Sequence, residues 1–276
     1  MGHINFADGS KIHVDDKVAN LIKNLMDKNK PVSTGVEHFI NKFKKKYIYC
    51  DLIRIGGDGD GGYLLPDNLK DVSFCFSPGV SDVALFEQEI SEKYGIKSYL
   101  ADASVEKPPI DNENFTFIPK FLGSKSENNF ITLSDWINDC IGDDKSNKIL
   151  QMDIEGGEYD VLTYEDSKTL ASFSTMVIEF HWLNKMFDPM FLKMISGIFE
   201  KIYKNFSICH VHPNNCCGIE VYNGINIPRV IEVTFIRNDL VPKYLNKNKP
   251  IILPHKLDKK NVMQNEDIAM PKSWWK

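Results

Sequence analysis

One segment near the middle of the chain, KILQMDIEGGEYDVL at residues 148–162, constrains the fold more than any other. It begins with an apolar run typical of a buried strand and passes directly into an acidic, glycine-bearing turn. Asp153 and Glu155 stand where the apolar run ends, and a short helix is predicted to begin near Glu158. In an open α/β sheet, ligands bind outside the carboxyl ends of the strands. The segment therefore predicts a central strand with a functional edge at Asp153.

Apolar segments on both sides of this strand alternate between strand-like and helix-like patterns, which indicates a doubly wound α/β sheet. The predicted strands are 72–77, 96–104, 115–122, 149–154, 175–183, 206–212 and 229–237. The predicted helix starts are Ser81 or Asp82, then Thr132, then Asp188 followed by Pro189. The connection between the last two strands is too short for a crossover helix, so this pair is predicted to be antiparallel.

Two amphipathic helices are predicted before the sheet. The first covers residues 14–30, and the second carries its apolar face on Val36, Phe39, Ile40 and Phe43. Residues 1–50 are therefore predicted to form a helical extension that either caps the active edge or makes a dimer contact. Residues 51–276 form the main domain, which ends in an irregular, polar tail from Lys243 onward.

Composition excludes several classes of protein. The net charge of −5 argues against nucleic acid as a partner. The six cysteines include no CxxC pair, which is typical of reduced thiols in the cytoplasm. The N-terminus has no apolar signal region, and no segment approaches the roughly 18 apolar residues of a membrane span. We therefore expect a cytoplasmic protein without a membrane span.

The glycine-rich segment 52–67, LIRIGGDGDGGYLLPD, matches GxGxxG only superficially. A dinucleotide motif needs its last glycine to open a helix, whereas Gly62 precedes a strand-like stretch closed by proline. A calcium loop also fails, because Gly62 and Leu69 occupy positions that need oxygen ligands. The segment is predicted to be a turn between two short strands, in which Arg54 and Asp60 either anchor the turn or contact a ligand.

Polar residues follow successive predicted strands. Gly79 makes a tight turn after the first strand, and Asp102 ends the second. An acid roughly 20 residues after such a turn commonly binds a ribose diol. Asp153 follows the fourth strand, and Glu179 and His181 end the fifth. These residues are predicted to share one edge of the sheet.

This order resembles that of class I S-adenosylmethionine-dependent methyltransferases. The residues that carry the resemblance are FCFSPGVSD (74–82), YLADAS (99–104), LQMDIEGGEYDVL (150–162) and VIEFHWL (177–183). DIEGGEYDVL is similar to the DxEGxE signature of FkbM-type methyltransferases, and RIGGDGDGGY and HVHPNN are similar to segments in one branch of them. The resemblance covers roughly residues 50–240. It implies a Rossmann-like fold, with helices on both faces of a mostly parallel seven-stranded sheet that has a final antiparallel strand.

The resemblance also implies S-adenosylmethionine as the methyl donor. The residues expected to bind it are Ser77, Gly79, Asp102, Ala103 and Asp153. The first turn departs from the usual GxGxG, because only Gly79 is present, preceded by Ser77 and Pro78. S-adenosylmethionine has no pyrophosphate, so one glycine that permits close backbone approach suffices.

Methyl transfer to oxygen requires alignment of the acceptor with the methyl group and removal of a hydroxyl proton. His181 is the expected base, because an imidazole titrates near working pH. Asp153 or Glu179 is expected to orient it. Alternatively, Asp153 with Glu179 or His181 holds Mg²⁺ or Mn²⁺, which lowers the pKa of the acceptor hydroxyl.

The acceptor is expected to be a sugar, specifically a nucleotide-activated sugar for capsular or surface polysaccharide. Asparagine side chains both donate and accept hydrogen bonds, which suits sugar hydroxyls. The expected substrate-binding residues are Glu155, His212, Asn214 and Asn215. Glu155 alternatively caps backbone N–H groups of its turn, and the asparagines alternatively only form a turn.

Three further alternatives stay open at this point. A zinc site formed by His210, His212, Cys216 and Cys217 would have irregular ligand spacing. An NAD-dependent oxidoreductase would lack its glycine fingerprint at residues 77–82. A non-catalytic sugar-binding protein on the same fold would have no need for so many carboxylates at one edge.

Overall fold

A computed structural model of the chain describes four ranges, residues 2–5, 11–14, 32–241 and 250–276. The strands β1 (Gly2–Asn5) and β2 (Lys11–Val14) pair antiparallel. The helix predicted over residues 14–30 lies outside the described residues, except for Val14, which ends β2.

The other strands follow in chain order. They are β3 (Leu52–Ile55), β4 (Tyr63–Pro66), β5 (Phe74–Pro78), β6 (Lys97–Ala101), β7 (Phe115–Ile118), β8 (Phe121–Leu122), β9 (Phe130–Ile131), β10 (Lys148–Met152), β11 (Thr175–Phe180), β12 (Phe206–Pro213), β13 (Ile219–Tyr222), β14 (Ile225–Pro228) and β15 (Ile231–Arg237). The α-helices of the described ranges are α1 (Val32–Lys45), α2 (Leu85–Tyr94), α3 (Leu133–Ile141), α4 (Glu158–Tyr164), α5 (Ser167–Leu170) and α6 (Pro189–Ile202). None of these helices has the length and apolar character needed to cross a bilayer.

Seven strands form the central sheet, in the order β12-β15-β11-β10-β5-β6-β7. Strand β15 runs antiparallel to both of its neighbours, and the remaining pairs are parallel. Strands β10 and β11 are buried along their whole length, as expected for parallel strands covered on both faces. The sheet therefore has the Rossmann-like, mostly parallel arrangement with one antiparallel strand that the sequence predicts.

Helices cover both faces of this sheet. Successive residues of β10 point to opposite sides, so Ile149 and Leu150 belong to different apolar clusters. The cluster around Ile149 includes Phe86 of α2, whereas the cluster around Leu150 includes Trp136 of α3 and Phe199 of α6. The carboxyl ends of the parallel strands are left free at one edge, between the two helical layers.

The capping residues of two helices confirm the predictions. Thr132 accepts a hydrogen bond from the backbone N–H of Asp135 at the start of α3, at 3.1 Å. Asp188 accepts from Met190 and Phe191 at the start of α6, where proline occupies the first turn. Both caps depend only on neighbouring residues, which makes them readable from sequence.

The predicted cap of α2 is wrong. This helix begins at Leu85, its N-cap is Ala84, and neither Ser81 nor Asp82 caps it. Ser81 adopts a left-handed backbone conformation, with φ 44°, and its N–H donates to the carboxylate of Asp102 at 2.8 Å. Ser81 therefore contacts Asp102, which is distant in sequence, and does not cap the helix.

The strand predicted over residues 115–122 is two strands. Strand β7 ends at Ile118, and the following Pro119 has no N–H with which to continue the ladder. Strand β8 instead pairs with β9 in a separate small sheet. The glycine-rich segment, in contrast, forms the predicted turn, because β3 and β4 are an antiparallel hairpin.

The C-terminal residues 250–276 are irregular as predicted, apart from a 3-10 turn at Lys272–Trp274. One residue of this tail is part of the core, because Trp274 is fully buried. Its ring lies 5.2 Å from that of Phe43 and 6.2 Å from that of Phe39, both on the predicted apolar face of α1. The tail and α1 thus share one core. The division into residues 1–50 and 51–276 stays a prediction.

Candidate active site

A cavity of about 650 Å³ lies at the carboxyl edge of the sheet. Gly79, Asp102 and Asp153, which follow β5, β6 and β10, all line it. Its apolar lining includes Val80, Leu85, Phe86, Phe121, Leu122 and Phe130. The structure therefore brings together three of the five residues predicted to bind the cofactor.

Gly79 allows the loops after β5 and β10 to touch. Its φ of +86° is a conformation that residues with a side chain rarely adopt. A Cβ atom there would lie 1.8 Å from the carbonyl oxygen of Asp153 and 2.9 Å from the side chain of Ile154. Only glycine fits this position, so the close packing of the two loops at the cavity depends on it.

Asp102 is buried and held in one orientation. Its Oδ2 accepts from the N–H of Ser81 at 2.8 Å, and its Oδ1 accepts from the N–H and hydroxyl of Ser104 at 2.7 and 2.6 Å. Each carboxylate oxygen can accept two hydrogen bonds, so Oδ2 keeps capacity for one more. The residue thus offers a fixed acceptor at the cavity.

Ser77 and Ala103 are placed differently from the other predicted cofactor residues, because neither lines the cavity. The buried hydroxyl of Ser77 contacts the side chains of Glu87 and Gln151, which do line it. Burial raises the pKa of Glu87 to about 6, more than the Ser77 hydrogen bond lowers it. Ser77 therefore lies behind the cavity lining, where it positions the side chains of Glu87 and Gln151.

His181 follows β11 and is held from one side by Glu158. Oε1 of Glu158 accepts the backbone N–H of His181 at 2.8 Å and lies 3.3 Å from its ring Nδ1. A proton on Nδ1 donates to this carboxylate, which leaves Nε2 as the acceptor of the neutral ring. Nε2 lies 3.4 Å from Glu155, 3.7 Å from Asp153 and 3.9 Å from Glu179. The three predicted catalytic residues are therefore in contact.

The surroundings shift the pKa values of these groups upward. Burial lowers the pKa of His181, but Glu158, Asp153 and Glu155 together raise it above its ordinary value. Burial raises the pKa of Asp153 to about 6 against the charge of His181. Burial also raises the pKa of Glu179 well above its usual range, and the neighbouring carboxylates raise it further. The carboxyl ends of β10 and β11 therefore carry more acidic than basic side chains around His181.

Glu158 is a candidate site residue that the sequence reasoning missed. It begins α4 and is fully buried, and its Oε2 accepts the N–H of Gly156 at 2.8 Å. The available signal was its place as the last acid of the DxEGxE signature. Glu158, rather than Glu155, binds the backbone N–H of this turn.

Two exposed residues, Glu155 and Trp182, lie next to His181. Both have positive φ, 54° and 56°, and such strain in residues with side chains is concentrated at functional sites. Glu155 is exposed and lines the cavity. The ring of Trp182 packs so closely on Gly156 that a Cβ there would lie 2.3 Å from it. An exposed acid and a half-exposed indole thus lie beside His181.

The two predicted substrate-binding asparagines face different partners. Asn214 donates to Oε1 of Glu179 at 2.9 Å, and its Oδ1 accepts from the N–H of Cys216. The side chain of Asn215 instead binds backbone groups of the tail at Val262 and Glu266. Asn214 is therefore part of the acidic edge, whereas Asn215 anchors the tail.

His212 also faces the tail. Asp258 lies between two histidines of β12, 2.9 Å from Nε2 of His210 and 3.7 Å from Nδ1 of His212. Burial lowers the pKa of His212, but Asp258 and Glu232 raise it to about 9. Cysteines are absent from the donor sets that converge within the described ranges, so the geometry gives no support to the predicted zinc alternative.

Within the described part of the chain, two overlapping sets of residues bring their ligand atoms within 4.8 Å of one another. One set is Asp153, Glu179 and His181, which contains both residue pairs that the sequence offers as an alternative metal site. The other is Asp60, Glu179 and Glu232. Glu232 was missed by sequence reasoning, although a glutamate within the apolar run of β15 was a visible signal.

Comparison with solved structures finds weak likenesses. The methyltransferase FkbM from Methylobacillus flagellatus KT is 12% identical, with 59% of this chain and 44% of that chain covered and a TM-score of 0.35. The fibrillarin pre-rRNA processing protein of Methanococcus jannaschii is 11% identical, with 68% and 82% covered and a TM-score of 0.36. No curated protein matches the chain.

The sequence itself matches the family model of the methyltransferase FkbM domain over residues 8–204. This range includes the turn at Gly79, the acid at Asp102 and the signature from Asp153 to Glu158. The sheet order and its single antiparallel strand agree with a class I methyltransferase. The chain belongs to the FkbM methyltransferase family.

Proposed function

We propose that this protein transfers a methyl group from S-adenosylmethionine to a hydroxyl group of a sugar. The acceptor is a nucleotide-activated sugar destined for capsular or surface polysaccharide, and the reaction takes place in the cytoplasm. The observation that carries the proposal is the imidazole of His181, whose Nδ1 faces the buried Glu158 while its Nε2 faces Asp153 and Glu155 at the cavity.

The residues at the cavity fit S-adenosylmethionine. A volume of about 650 Å³ is within the usual range for small-molecule sites. The apolar lining suits an adenine ring, and the fixed Oδ2 of Asp102 suits a ribose hydroxyl. Gly79 permits close approach, and Glu87 and Asp153 suit the cationic groups of the ligand. When bound, this cofactor supplies an electrophilic methyl group on a positively charged sulfur.

His181 acts as the base that receives the acceptor's proton. The hydroxyl proton that methyl transfer would release moves to Nε2 of His181. Glu158 keeps the other ring proton on Nδ1 and stabilises the imidazolium. The carboxylates of Asp153 and Glu155, both within 4 Å of Nε2, favour the charged ring further.

The side chains near His181 and Glu179 support a polar acceptor. Glu155 and Asn214 offer hydrogen-bond partners for hydroxyl groups, and Trp182 offers a half-exposed ring face. The net charge of −5 supports a small-molecule acceptor over nucleic acid. A homodimer contact through residues 1–50 stays a prediction.

The test is incubation of the protein with S-adenosylmethionine and a panel of nucleotide-activated sugars, with methylated products detected by mass spectrometry. His181→Gln is expected to lower the turnover number at least about a hundredfold, because it removes the base. His38→Gln, at an exposed position of α1, is the matched control and should keep full activity. Absence of any methylated sugar, or full activity of His181→Gln, would contradict the proposal.

A further inference from the structure

The glycine-rich turn between β3 and β4 has no part in the methyl transfer described above, yet it is held in a defined shape. The guanidinium of Arg54 donates to the carbonyl oxygens of Gly57 and Gly59 inside the turn. A Cβ at Gly62 would lie 2.5 Å from that guanidinium, so the turn closes tightly around it. This arrangement presents Asp60 at the carboxyl edge of the sheet.

Asp60 meets two glutamates of the sheet there. Glu179 of β11 and Glu232 of β15 are directly opposite each other in the antiparallel pair, so both point to the same face. Their exposures are 3% and 5%, and one oxygen of each lies within 4.8 Å of an oxygen of Asp60. Like charges that face each other across two strands are destabilising unless a cation offsets them or one carboxylate takes up a proton.

One carboxylate oxygen of Glu179 lacks a hydrogen-bond partner among the described residues. Oε1 of Glu179 accepts from Asn214, but its buried Oε2 has no hydrogen-bond partner in the described part of the chain. A buried oxygen without a partner is destabilising, because it has lost its hydrogen bonds to water. The guanidinium of Arg54 donates to the glycine turn and makes no hydrogen bond to this oxygen. The unmatched oxygen of Glu179 therefore points to a ligand that supplies positive charge.

Asn261, in the C-terminal tail, forms hydrogen bonds with two of these three carboxylates. Nδ2 of Asn261 donates to the exposed Asp60 at 3.0 Å and also to the buried Glu232. The amide of Asn261 therefore links these two acids. The Oδ1 of Asn261 is itself buried and has no partner among residues 32–241 and 250–276. An amide thus fixes the two carboxylates and adds a further free oxygen next to them.

We propose that Asp60, Glu179 and Glu232 bind a divalent metal ion, Mg²⁺ or Mn²⁺. Carboxylate oxygens are the ligands that these ions prefer, and the set contains no sulfur or nitrogen ligand that would favour zinc or copper. The ion neutralises the facing glutamates and satisfies Oε2 of Glu179. Its role, which rests on the proposed function, is to hold an acceptor oxygen near His181.

This site differs from the one formed by Asp153, Glu179 and His181, although both share Glu179. An ion on Nε2 of His181 would occupy the nitrogen that receives the acceptor's proton. The set with Asp60 leaves that nitrogen free. The two placements make opposite predictions for substitution of Asp60 and His181.

The test is titration of the metal-stripped, full-length protein with Mn²⁺, followed by electron paramagnetic resonance of the free ion. The unmodified protein should bind one Mn²⁺, and Asp60→Asn should weaken binding at least about tenfold. Asp60 is exposed, so this substitution is expected to leave the fold intact. Asp58→Asn removes an equal charge from the same turn, where the side chain is 80% exposed, and should bind Mn²⁺ as the unmodified protein does.

Three results would overturn the proposal: no Mn²⁺ binding by the unmodified protein, equal binding by Asp60→Asn, or loss of binding in His181→Gln with Asp60→Asn unaffected. Binding of S-adenosylhomocysteine is measured on the same samples. If that ligand binds while Mn²⁺ does not, the metal site fails and the proposed methyl transfer stands. If Mn²⁺ binds while S-adenosylhomocysteine does not, the proposed function fails and the metal site stands.

Discussion

A single oxygen of Glu158 contacts His181 at two points, the backbone N–H at 2.8 Å and the ring Nδ1 at 3.3 Å. Glu158 begins the helix that follows β10, and His181 follows the neighbouring strand β11. The contact therefore ties two adjacent strand ends together and fixes the orientation of the imidazole. In the proposed mechanism, Glu158 is a positioning residue that acts through His181.

Replacement of Glu158 by glutamine should lower the turnover number about ten- to a hundredfold, because the neutral amide cannot stabilise the imidazolium. The dissociation constant for S-adenosylhomocysteine should stay unchanged, since Glu158 does not line the cavity. Steady-state kinetics and calorimetry on the same preparation measure both quantities. A purely structural role would instead weaken ligand binding and turnover together, and that result would contradict the assignment.

Alanine at Gly79 should prevent binding of S-adenosylhomocysteine, because its Cβ would lie 1.8 Å from the carbonyl oxygen of Asp153. Gly95→Ala is the control, since Gly95 also has positive φ but has no atom within 4 Å of the added Cβ. The control should cost about 1 to 2 kcal/mol of unfolding free energy and keep ligand binding. Calorimetry and thermal unfolding compare the two variants, and equal behaviour would show that close packing at Gly79 is unimportant.

The buried ion pair of Asp258 and His212 should make stability depend on pH. Burial raises the pKa of Asp258, but His210 and His212 lower it well below its usual range, so this contribution is lost as pH falls below about 4. The pKa of His212 is raised to about 9, so its contribution is complete below about pH 6.5 and disappears as pH rises through about 9.

Asp258→Asn should therefore destabilise the protein most between about pH 4 and 6.5, by about 3 kcal/mol. Between pH 6.5 and 9 the difference from the unmodified protein should shrink. Chemical denaturation across this range measures it. A difference that is constant with pH would show that Asp258 acts by packing alone.

Trp274→Ala should destabilise the protein by about 3 to 5 kcal/mol, because the indole is fully buried against Phe39 and Phe43. Met263→Ala is the control in the same tail, since Met263 is 68% exposed and should change stability by less than about 0.5 kcal/mol. Denaturant unfolding measures both. Equal stability of the two variants would mean that the tail is not part of the core.

The strand ends that carry Gly79, Asp102 and Asp153 were predictable, because each follows a local apolar run that ends at a turn or an acid. The cap by Thr132 was predictable for the same local reason. Ser81 was misassigned because its N–H binds Asp102, a contact between separate strand ends that no local pattern contains.

Neighbouring polar residues illustrate the same limit within the site. Asn214 and Asn215 look equivalent in sequence, yet one binds Glu179 and the other binds the tail. The pairing of Glu179 with Glu232 depends on the register of β15, which the sequence does not specify. The polar residues at strand ends can be predicted from the sequence. The contacts between elements that are distant in sequence can be seen only in the folded structure.

Calorimetric titration with S-adenosylhomocysteine tests the central claim most directly. The unmodified protein should bind one equivalent, and Asp102→Ala should bind about ten- to a hundredfold more weakly through loss of a charged hydrogen bond. Asp111→Ala, at an exposed acid in the connection between β6 and β7, should bind normally. If the unmodified protein does not bind S-adenosylhomocysteine, the cavity is not a methyl-donor site and the proposed function is wrong.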